Sequence, residues 1–238
     1  MGRRALRPID PSLDLSRHFF VDEDLPRPWS TSALFPVVCP GEESADAAHT
    51  SDEERAHVAA RPLELDIGCG KGMYISAAAA ATPERNFIGV ELRGKYARYT
   101  ASRLARRRLT NAISVKADAE RLLREDLPPD SIAAIHVYFP DPWWKARHKK
   151  RRIMNADFLK QVERVLQPGG KLHFWTDVEE YFLIGVETVK SATKLEGPFD
   201  VPEKRPEHDL DYRTNFERRK RMLGLSIFRA EFVKQPGN

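Results

Sequence analysis

A glycine-rich turn preceded by an acid is the first chemically informative feature of this 238-residue sequence. Residues 66–72 read DIGCGKG and follow the apolar residues of a predicted strand. Gly68 and Gly70 allow a tight turn and a close approach of the backbone to a ligand. A nicotinamide dinucleotide would bring its pyrophosphate here, where the Asp66 carboxylate would repel it. The turn therefore suits a ligand with positive groups, such as the ammonium and sulfonium of S-adenosylmethionine, with a turn that serves packing alone as the alternative.

Two further acids end the next two predicted strands. Glu91 lies nineteen positions after Gly72, where an acid can accept hydrogen bonds from both hydroxyls of a ribose. Asp118 ends the third strand and is placed to accept from an adenine amino group. Each acid taken singly is better explained as a helix cap or a solvated charge. Acids at the ends of three successive strands, however, line one crevice.

The fourth predicted strand runs into residues 139–145, which read FPDPWWK. Two prolines flank Asp141, stiffen the backbone and remove two hydrogen-bond donors. This arrangement predicts a carboxylate fixed at the mouth of the crevice, with a buried aromatic turn as the alternative.

A basic stretch follows this turn directly. Residues 145–152 read KARHKKRR, with six cations in eight residues. Because the stretch adjoins both the crevice and stackable aromatic side chains, we expect it to hold RNA phosphates, with Trp143 or Trp144 stacking on a base. Arginines between Arg103 and Arg108 form another cluster, which is equally well explained by a helix dipole.

Two polar positions near later elements have more than one reading. Asp177 ends the fifth predicted strand and either caps a helix or holds substrate. Residues 214–217 read TNFE, and the spacing of Thr214 and Glu217 is typical of a capping box that opens a helix through Met222.

Short apolar runs alternating with helical stretches position these residues. This alternation predicts an α/β, doubly wound sheet, in which ligands bind beyond the carboxyl ends of the strands. A last apolar run over 225–233 is expected at the sheet edge. The predicted strands are LELDIG, NFIGVEL, AISVKAD, SIAAIHVYF and KLHFWTD, and the predicted helices are 72–82, 93–109, 119–126, 155–166 and 178–192.

The region before the first of these strands is different in character. Residues 1–61 show little periodicity and several prolines, and residues 42–54 carry six acids and no base. We interpret 1–61 as an irregular N-terminal arm with a mobile acidic loop and 62–238 as the catalytic domain. The simplest reading of the arm is a solvated extension without function.

Composition narrows the class of protein. The formal net charge is +4, which permits a polyanionic partner without demanding one. The longest apolar run is too short for a membrane span, and no signal peptide is recognisable. Cys39 and Cys69 alone cannot form a four-ligand zinc site or a disulfide framework, so we expect no metal and a cytoplasmic location.

In their order along the chain, these motifs resemble the bacterial tRNA (guanine-N7)-methyltransferases. The glycine turn is shared by all class I methyltransferases, whereas FPDPW followed by KxRHxKRR and the distant TNFE are highly specific. The resemblance covers about Pro62 to the end. It implies the class I, Rossmann-like methyltransferase fold, S-adenosylmethionine as methyl donor with S-adenosylhomocysteine as product, and a tRNA substrate methylated at a guanine N7 in the variable loop.

The resemblance also assigns roles to individual residues. Asp141 is implied as the catalytic residue. Asp66 stands where the family often has Glu, and Trp144 doubles the tryptophan of the motif. The implied donor-binding residues are Asp66, Gly68, Gly70, Glu91, Asp118 and Asp141, and the implied substrate-binding residues are Lys145, Asp177, Thr214, Asn215, Phe216 and Glu217.

Guanine N7 has a lone pair and no proton, so the expected reaction is an in-line displacement without a strong general base. Asp141 is expected to orient the reactants and stabilise the developing positive charge. The alternatives are a methyltransferase for another RNA, a protein or a small molecule, a nicotinamide dehydrogenase, and a tRNA-binding module without catalysis. Monomer and homodimer both remain open.

Overall fold

The computed structural model describes residues 6–35, 60–144, 147, 151–202, 217 and 222–237. In these ranges an eight-stranded sheet has the order β1-β4-β3-β2-β5-β6-β8-β7. Strands β1 to β6 pair in parallel, whereas β8 runs antiparallel to β6 and β7. The strands are β1 (Phe19–Val21), β2 (Leu63–Ile67), β3 (Asn86–Glu91), β4 (Ala112–Lys116), β5 (Ile132–Tyr138), β6 (Leu166–Thr176), β7 (Glu196–Phe199) and β8 (Phe228–Val233).

Helices connect the parallel strands. The predicted fold class, an α/β protein with a doubly wound sheet, is thereby confirmed. Each predicted helix is found with ends that differ by at most three residues, except that residues 119–126 divide into a short α-helix and a π-helical turn at Leu122–Asp126. The α-helices are α1 (Thr31–Leu34), α2 (Met73–Ala81), α3 (Gly94–Arg106), α4 (Ala119–Arg121), α5 (Ala156–Val165) and α6 (Glu179–Ala192).

The central strands are buried on both faces, as parallel strands between two helical layers must be. Helix α5 shows how the sequence fixes this packing. It buries Phe158, Leu159, Val162 and Val165, which recur at helical spacing on one side. Its first turn is capped by Asn155, whose side chain accepts a hydrogen bond from the backbone N–H of Phe158.

Part of the segment 6–35 is packed against the sheet. Strand β1 pairs with β4, where Phe19 lies opposite Ser114. Leu34 and Phe35 join the main hydrophobic cluster, with 3 % and 1 % of their surface exposed. This part of the predicted arm thus extends the sheet and core. The domain boundary at residue 61 stays a prediction, and the acidic segment 42–54 lies outside the described residues.

The prediction of an edge strand over 225–233 was wrong. Strand β8 lies between β6 and β7, so its backbone is paired on both sides. Its outer neighbour β7 reads EGPF, and glycine and proline disfavour a strand assignment from sequence. The tertiary pairing with β8 decides this strand against its local propensity.

The chain order reverses between β2 and β5, which are neighbours in the sheet. A crevice forms at such a switch point, outside the carboxyl ends of the two strands. The glycine turn follows β2 and the turn containing Asp141 follows β5. The fold therefore places the two most distinctive motifs on the two sides of one crevice.

Candidate active site

The glycine turn has the backbone conformation that its composition predicts. Gly68, Gly70 and Gly72 all have positive φ, at 71°, 57° and 65°. At Gly72 an added Cβ would lie 2.5 Å from Cγ2 of Thr100, so glycine is required there by space as well as by conformation. The backbone N–H of Gly68 donates to the carbonyl of Val90 over 2.8 Å, which fastens the turn to the end of β3.

Asp66 is a buried acid within the last two residues of β2, with 5 % of its surface exposed. Burial, and secondarily the charge of Glu91, raises its pKa to about 8. Among the described residues no cation pairs with this carboxylate. A buried carboxylate without a countercharge favours a cationic ligand, because such a ligand supplies the missing charge. Asp66 thus fits the ammonium or sulfonium of S-adenosylmethionine.

Glu91 ends β3 and joins two parts of the crevice. Its Oε2 accepts a hydrogen bond of 3.1 Å from the backbone N–H of Gly70. Its Oε1 accepts one of 2.9 Å from the backbone N–H of Arg93. The carboxylate is therefore held at the rim of the glycine turn, the place where the sequence predicts a ribose acceptor.

Asp118 caps a helix in this structure. Its Oδ1 accepts from the backbone N–H groups of Glu120 and Arg121, over 2.9 and 3.4 Å, and opens α4. Both of these bonds use the same oxygen. The capping role and the predicted role toward an adenine amino group are thus compatible, since Oδ2 takes part in neither bond.

Asp141 lies exposed in the turn after β5, between two aromatic residues of unusual backbone conformation. Phe139 and Trp143 have φ of 52° and 42°, a region that large L side chains rarely adopt. Such strain is typical of functional turns. The backbone N–H of Phe139 donates to the carbonyl of Trp175 over 2.8 Å, which ties the start of the turn to β6.

A family profile described as "Putative methyltransferase" matches residues 60–230. A tRNA (guanine-N(7)-)-methyltransferase of Rhodopirellula baltica is 37 % identical over an alignment that covers 99 % of this chain and 81 % of that protein. The enzyme of the same name from Hydrogenovibrio crunogenus is 34 % identical, over 73 % of this chain and 72 % of that one. The chain belongs to the tRNA (guanine-N7)-methyltransferase family. The resemblance inferred from the motifs is confirmed.

Solved structures agree with this fold at lower identity. The 16S rRNA methyltransferase KamB aligns with a TM-score of 0.55 and 17 % identity, over 78 % of this chain and 94 % of that one. The structure of an antibiotic-related methyltransferase aligns with a TM-score of 0.53 and 19 % identity, over 83 % of this chain and 100 % of that one. At these identities the likeness concerns the fold, which is that of the S-adenosylmethionine-dependent class I methyltransferases.

The substrate-side residues that the family resemblance implies are only partly described. Asp177 follows β6, but α6 is capped at Val178, so Asp177 is not the N-cap. Glu217 has 2 % of its surface exposed and is therefore buried. Lys145, Thr214, Asn215 and Phe216 lie outside the described residues. Their roles in the methyltransferase stay predictions.

The structure corrects the interpretation of the basic stretch at one position. The expectation that the stretch holds RNA phosphates requires cations that are exposed to water, yet Arg152 is 9 % exposed. Its Nε donates to the carbonyl of Pro142 over 2.8 Å. Arg152 thus belongs to the framework of the Asp141 turn, while Arg147 and Arg151 are exposed as predicted. A run of cations in the sequence gives no signal by which one buried member could be found.

A buried polar network beside the crevice was missed by the sequence analysis. Nε2 of His136 lies 2.8 Å from Oε2 of Glu64, and Nδ1 lies 2.9 Å from the hydroxyl of Tyr138. Arg85 pairs with Glu64 over 2.7 Å. The available signal was an acid and a histidine inside strongly apolar strands. In the described ranges no cluster of three or more His, Cys, Asp or Glu could hold a metal ion.

Proposed function

We propose that this chain transfers the methyl group of S-adenosylmethionine to N7 of a guanine in tRNA. The observation that carries the proposal is the set of three acids at the ends of β2, β3 and β4 around the glycine turn, with Asp141 on the other side of the switch point. Membership of the tRNA (guanine-N7)-methyltransferase family supports tRNA as the acceptor. The finer target, a guanine of the variable loop, rests on the motif resemblance.

The donor supplies an electrophilic methyl group on a positively charged sulfur. The chain contributes binding and orientation. Asp66 provides charge at the base of the crevice, Glu91 provides acceptors for ribose hydroxyls, and Asp118 provides an acceptor for adenine. Placing two reactants in attack geometry can supply about 7–11 kcal/mol of the barrier. Because guanine N7 loses no proton on attack, no side chain has to act as a strong base.

Asp141 is the proposed catalytic residue, with two effects. A carboxylate fixed between two prolines can orient the methionine end of the donor or the guanine edge. It also stabilises positive charge as that charge develops on the purine. Asp141→Asn keeps the shape and removes the charge, so we expect kcat to fall by about 100-fold or more at saturating tRNA. Asp157→Asn, an exposed acid of α5, is the control. Near-normal turnover of Asp141→Asn would contradict the role.

Methyl transfer to an unmodified tRNA transcript tests the function. We expect labelled S-adenosylmethionine to label tRNA at one guanine, located by chemical cleavage at N7-methylguanine. A matched transcript made with 7-deazaguanine carries carbon in place of N7 and should accept no methyl group. Labelling of that transcript, or of ribosomal RNA or protein in its place, would favour another acceptor. Binding of tRNA without any transfer would indicate a non-catalytic module.

Two finer statements are proposals, on location and on the basic stretch. Among the described residues no helix is long and apolar enough to cross a membrane. We infer a cytoplasmic location from the tRNA substrate. The basic stretch 145–152 is proposed to bind the tRNA backbone, with Arg152 excepted.

A further inference from the structure

Arg152 differs from its neighbours in the basic stretch by being buried. Its exposed fraction is 9 %, whereas Arg147 and Arg151 are exposed. An arginine that binds RNA phosphates must present its guanidinium to the RNA. The burial of Arg152 therefore points to a task inside the protein.

The contacts of Arg152 lead to the turn that carries Asp141. Its Nε donates to the carbonyl of Pro142, the residue after Asp141, over 2.8 Å. Its guanidinium carbon lies 5.5 Å from the ring centroid of Trp144 and 5.3 Å from that of Tyr181 on α6. Tyr181 is fully buried. Arg152 thus links the turn to a rigid helix through one hydrogen bond and two cation–π contacts.

This turn needs such support. Phe139 and Trp143 hold left-handed backbone conformations, and Pro140 and Pro142 have no N–H to donate. Conformations of this kind persist only where the surrounding contacts over-determine them. A donor that engages the Pro142 carbonyl is one of those contacts.

The backbone of Arg152 is itself held by Asn155, which also contacts the segment that follows β4. Nδ2 of Asn155 donates to the Arg152 carbonyl over 3.0 Å and also to Oε1 of Glu120. Glu120 lies two residues after Asp118, and its backbone N–H donates to that acid. A continuous set of contacts therefore runs from the predicted adenine-binding acid to the Asp141 turn.

We propose that Arg152 is a positioning residue for Asp141 and not a ligand of tRNA phosphates. This inference rests on the proposed function, because it concerns the same methyl transfer. It also assigns the second tryptophan of the motif, Trp144, as one wall of the Arg152 site. The geometry needs a planar guanidinium that stacks on two rings while donating through Nε, which a lysine ammonium cannot reproduce.

The test compares Arg152→Lys and Arg152→Gln with the wild-type chain. We expect both variants to lose about 10- to 100-fold in kcat at saturating tRNA, because small misplacements of catalytic groups have effects of this size. The affinity for tRNA and the slope of log affinity against log salt should stay at wild-type values. A kcat loss without a change in salt slope is a result that a phosphate ligand would not give.

Arg151→Gln is the matched control for the loss of a cation, since Arg151 is exposed, although its guanidinium carbon also lies 5.3 Å from the ring centroid of Trp143. It should weaken tRNA binding and lower the salt slope by about 0.7–0.9 if Arg151 contacts one phosphate. A similar drop in slope for Arg152→Gln, or wild-type kcat in Arg152→Lys, would overturn the inference. Absence of methyl transfer by the wild-type chain would instead overturn the proposed function.

Calorimetric binding of S-adenosylhomocysteine reports whether each variant is folded. If the Arg152 variants fail this check, Trp144→Leu and Trp144→Phe test the same contact from the solvent side, since Trp144 is 46 % exposed. We expect Leu, which removes the aromatic wall, to lower kcat at saturating tRNA more than Phe does. Equal kcat values for Leu, Phe and wild type would contradict the proposal.

Discussion

Asp66 and Glu91 stand on the neighbouring parallel strands β2 and β3, and the charge of Glu91 adds to the effect of burial in raising the pKa of Asp66 to about 8. In the described structure Glu91 accepts hydrogen bonds from the backbone N–H groups of Gly70 and Arg93. The raised pKa means that Asp66 holds a proton when no ligand is bound, and among the described residues no cation favours its ionised form. A cationic ligand would favour the ionised form, so its binding must be linked to the release of a proton.

Donor binding should therefore depend on pH below about 8. The cation favours ionised Asp66, so binding to the protonated form must release a proton. We expect the logarithm of the affinity for S-adenosylmethionine to rise with pH, at a slope approaching about one per pH unit below pH 8. Calorimetry in buffers of different ionisation enthalpy measures the released proton. Asp66→Asn should bind more weakly and lose this slope; a retained slope would assign the proton to another group.

The same shift predicts how stability responds to pH. A pKa raised from 3.8 to about 8 means that the folded state keeps a proton that the unfolded chain releases. The stability that Asp66 gains from this difference is fully present below pH 3.8, and it decreases as pH rises toward 8. Urea denaturation without ligand should show the decrease, and Asp66→Asn should flatten that part of the profile. Equal pH profiles for the two proteins would contradict the raised pKa.

Glu91 should matter to donor binding through hydrogen bonds. Glu91→Ala removes the acceptor of the Gly70 N–H and the predicted acceptor for ribose, so we expect S-adenosylhomocysteine binding to weaken about 10- to 100-fold. Glu84→Ala, an exposed acid just before β3, is the control. Unchanged affinity in Glu91→Ala, measured by calorimetry, would remove Glu91 from the binding site.

Gly72 and Gly68 form a matched pair for testing the glycine turn. Both have positive φ, but an added Cβ meets Thr100 at Gly72 and nothing within 4 Å at Gly68. Gly68→Ala should lower the free energy of unfolding by about 1–2 kcal/mol, because alanine is strained at a positive φ. Gly72→Ala should lower it by about 1–3 kcal/mol more, because the added methyl group also crowds Thr100. Urea denaturation of both variants gives the difference, and equal losses would show that Thr100 moves aside freely.

The Glu64–His136 pair should support stability near neutral pH. Burial alone would raise the pKa of Glu64, but the bonds from His136 and Arg85 outweigh it and the pKa is lowered. A lowered pKa gives stability that is present above pH 4.5 and lost as pH falls below it. Glu64→Gln should lower the free energy of unfolding by about 1–3 kcal/mol at pH 7 and should make that free energy depend less on pH in the acid range. Chemical denaturation at pH 7 and pH 4 checks both effects, and an unchanged acid dependence would contradict the pairing.

Much of the site could be predicted because its signals are local. A glycine turn after an apolar strand, and acids at successive strand ends, depend on spacing along the chain. The doubly wound sheet then brings the carboxyl ends of those strands to one edge. Asp66, Glu91 and Asp118 were predicted in this way; the structure places them at the ends of their strands, and their roles toward a ligand stay predictions. The specific order of motifs identified the family.

Other features depend on contacts between distant segments, which spacing does not encode. Strand β7 forms because β8 pairs with it, although EGPF has little strand propensity. Arg152 looks like any other cation of its stretch until Tyr181 and Trp144 are placed beside it.

The sequence by itself determined the fold class and the positions of the three acids at the ends of their strands, because strand–helix alternation and glycine conformation are local properties. Only the tertiary structure decided that none of the described cations pairs with Asp66, that Asp118 also caps a helix, and that Arg152 is buried. The burial of a side chain and its charged partners depend on which residues from distant parts of the chain pack around it. These contacts fix the pKa values and the orientation of the Asp141 turn.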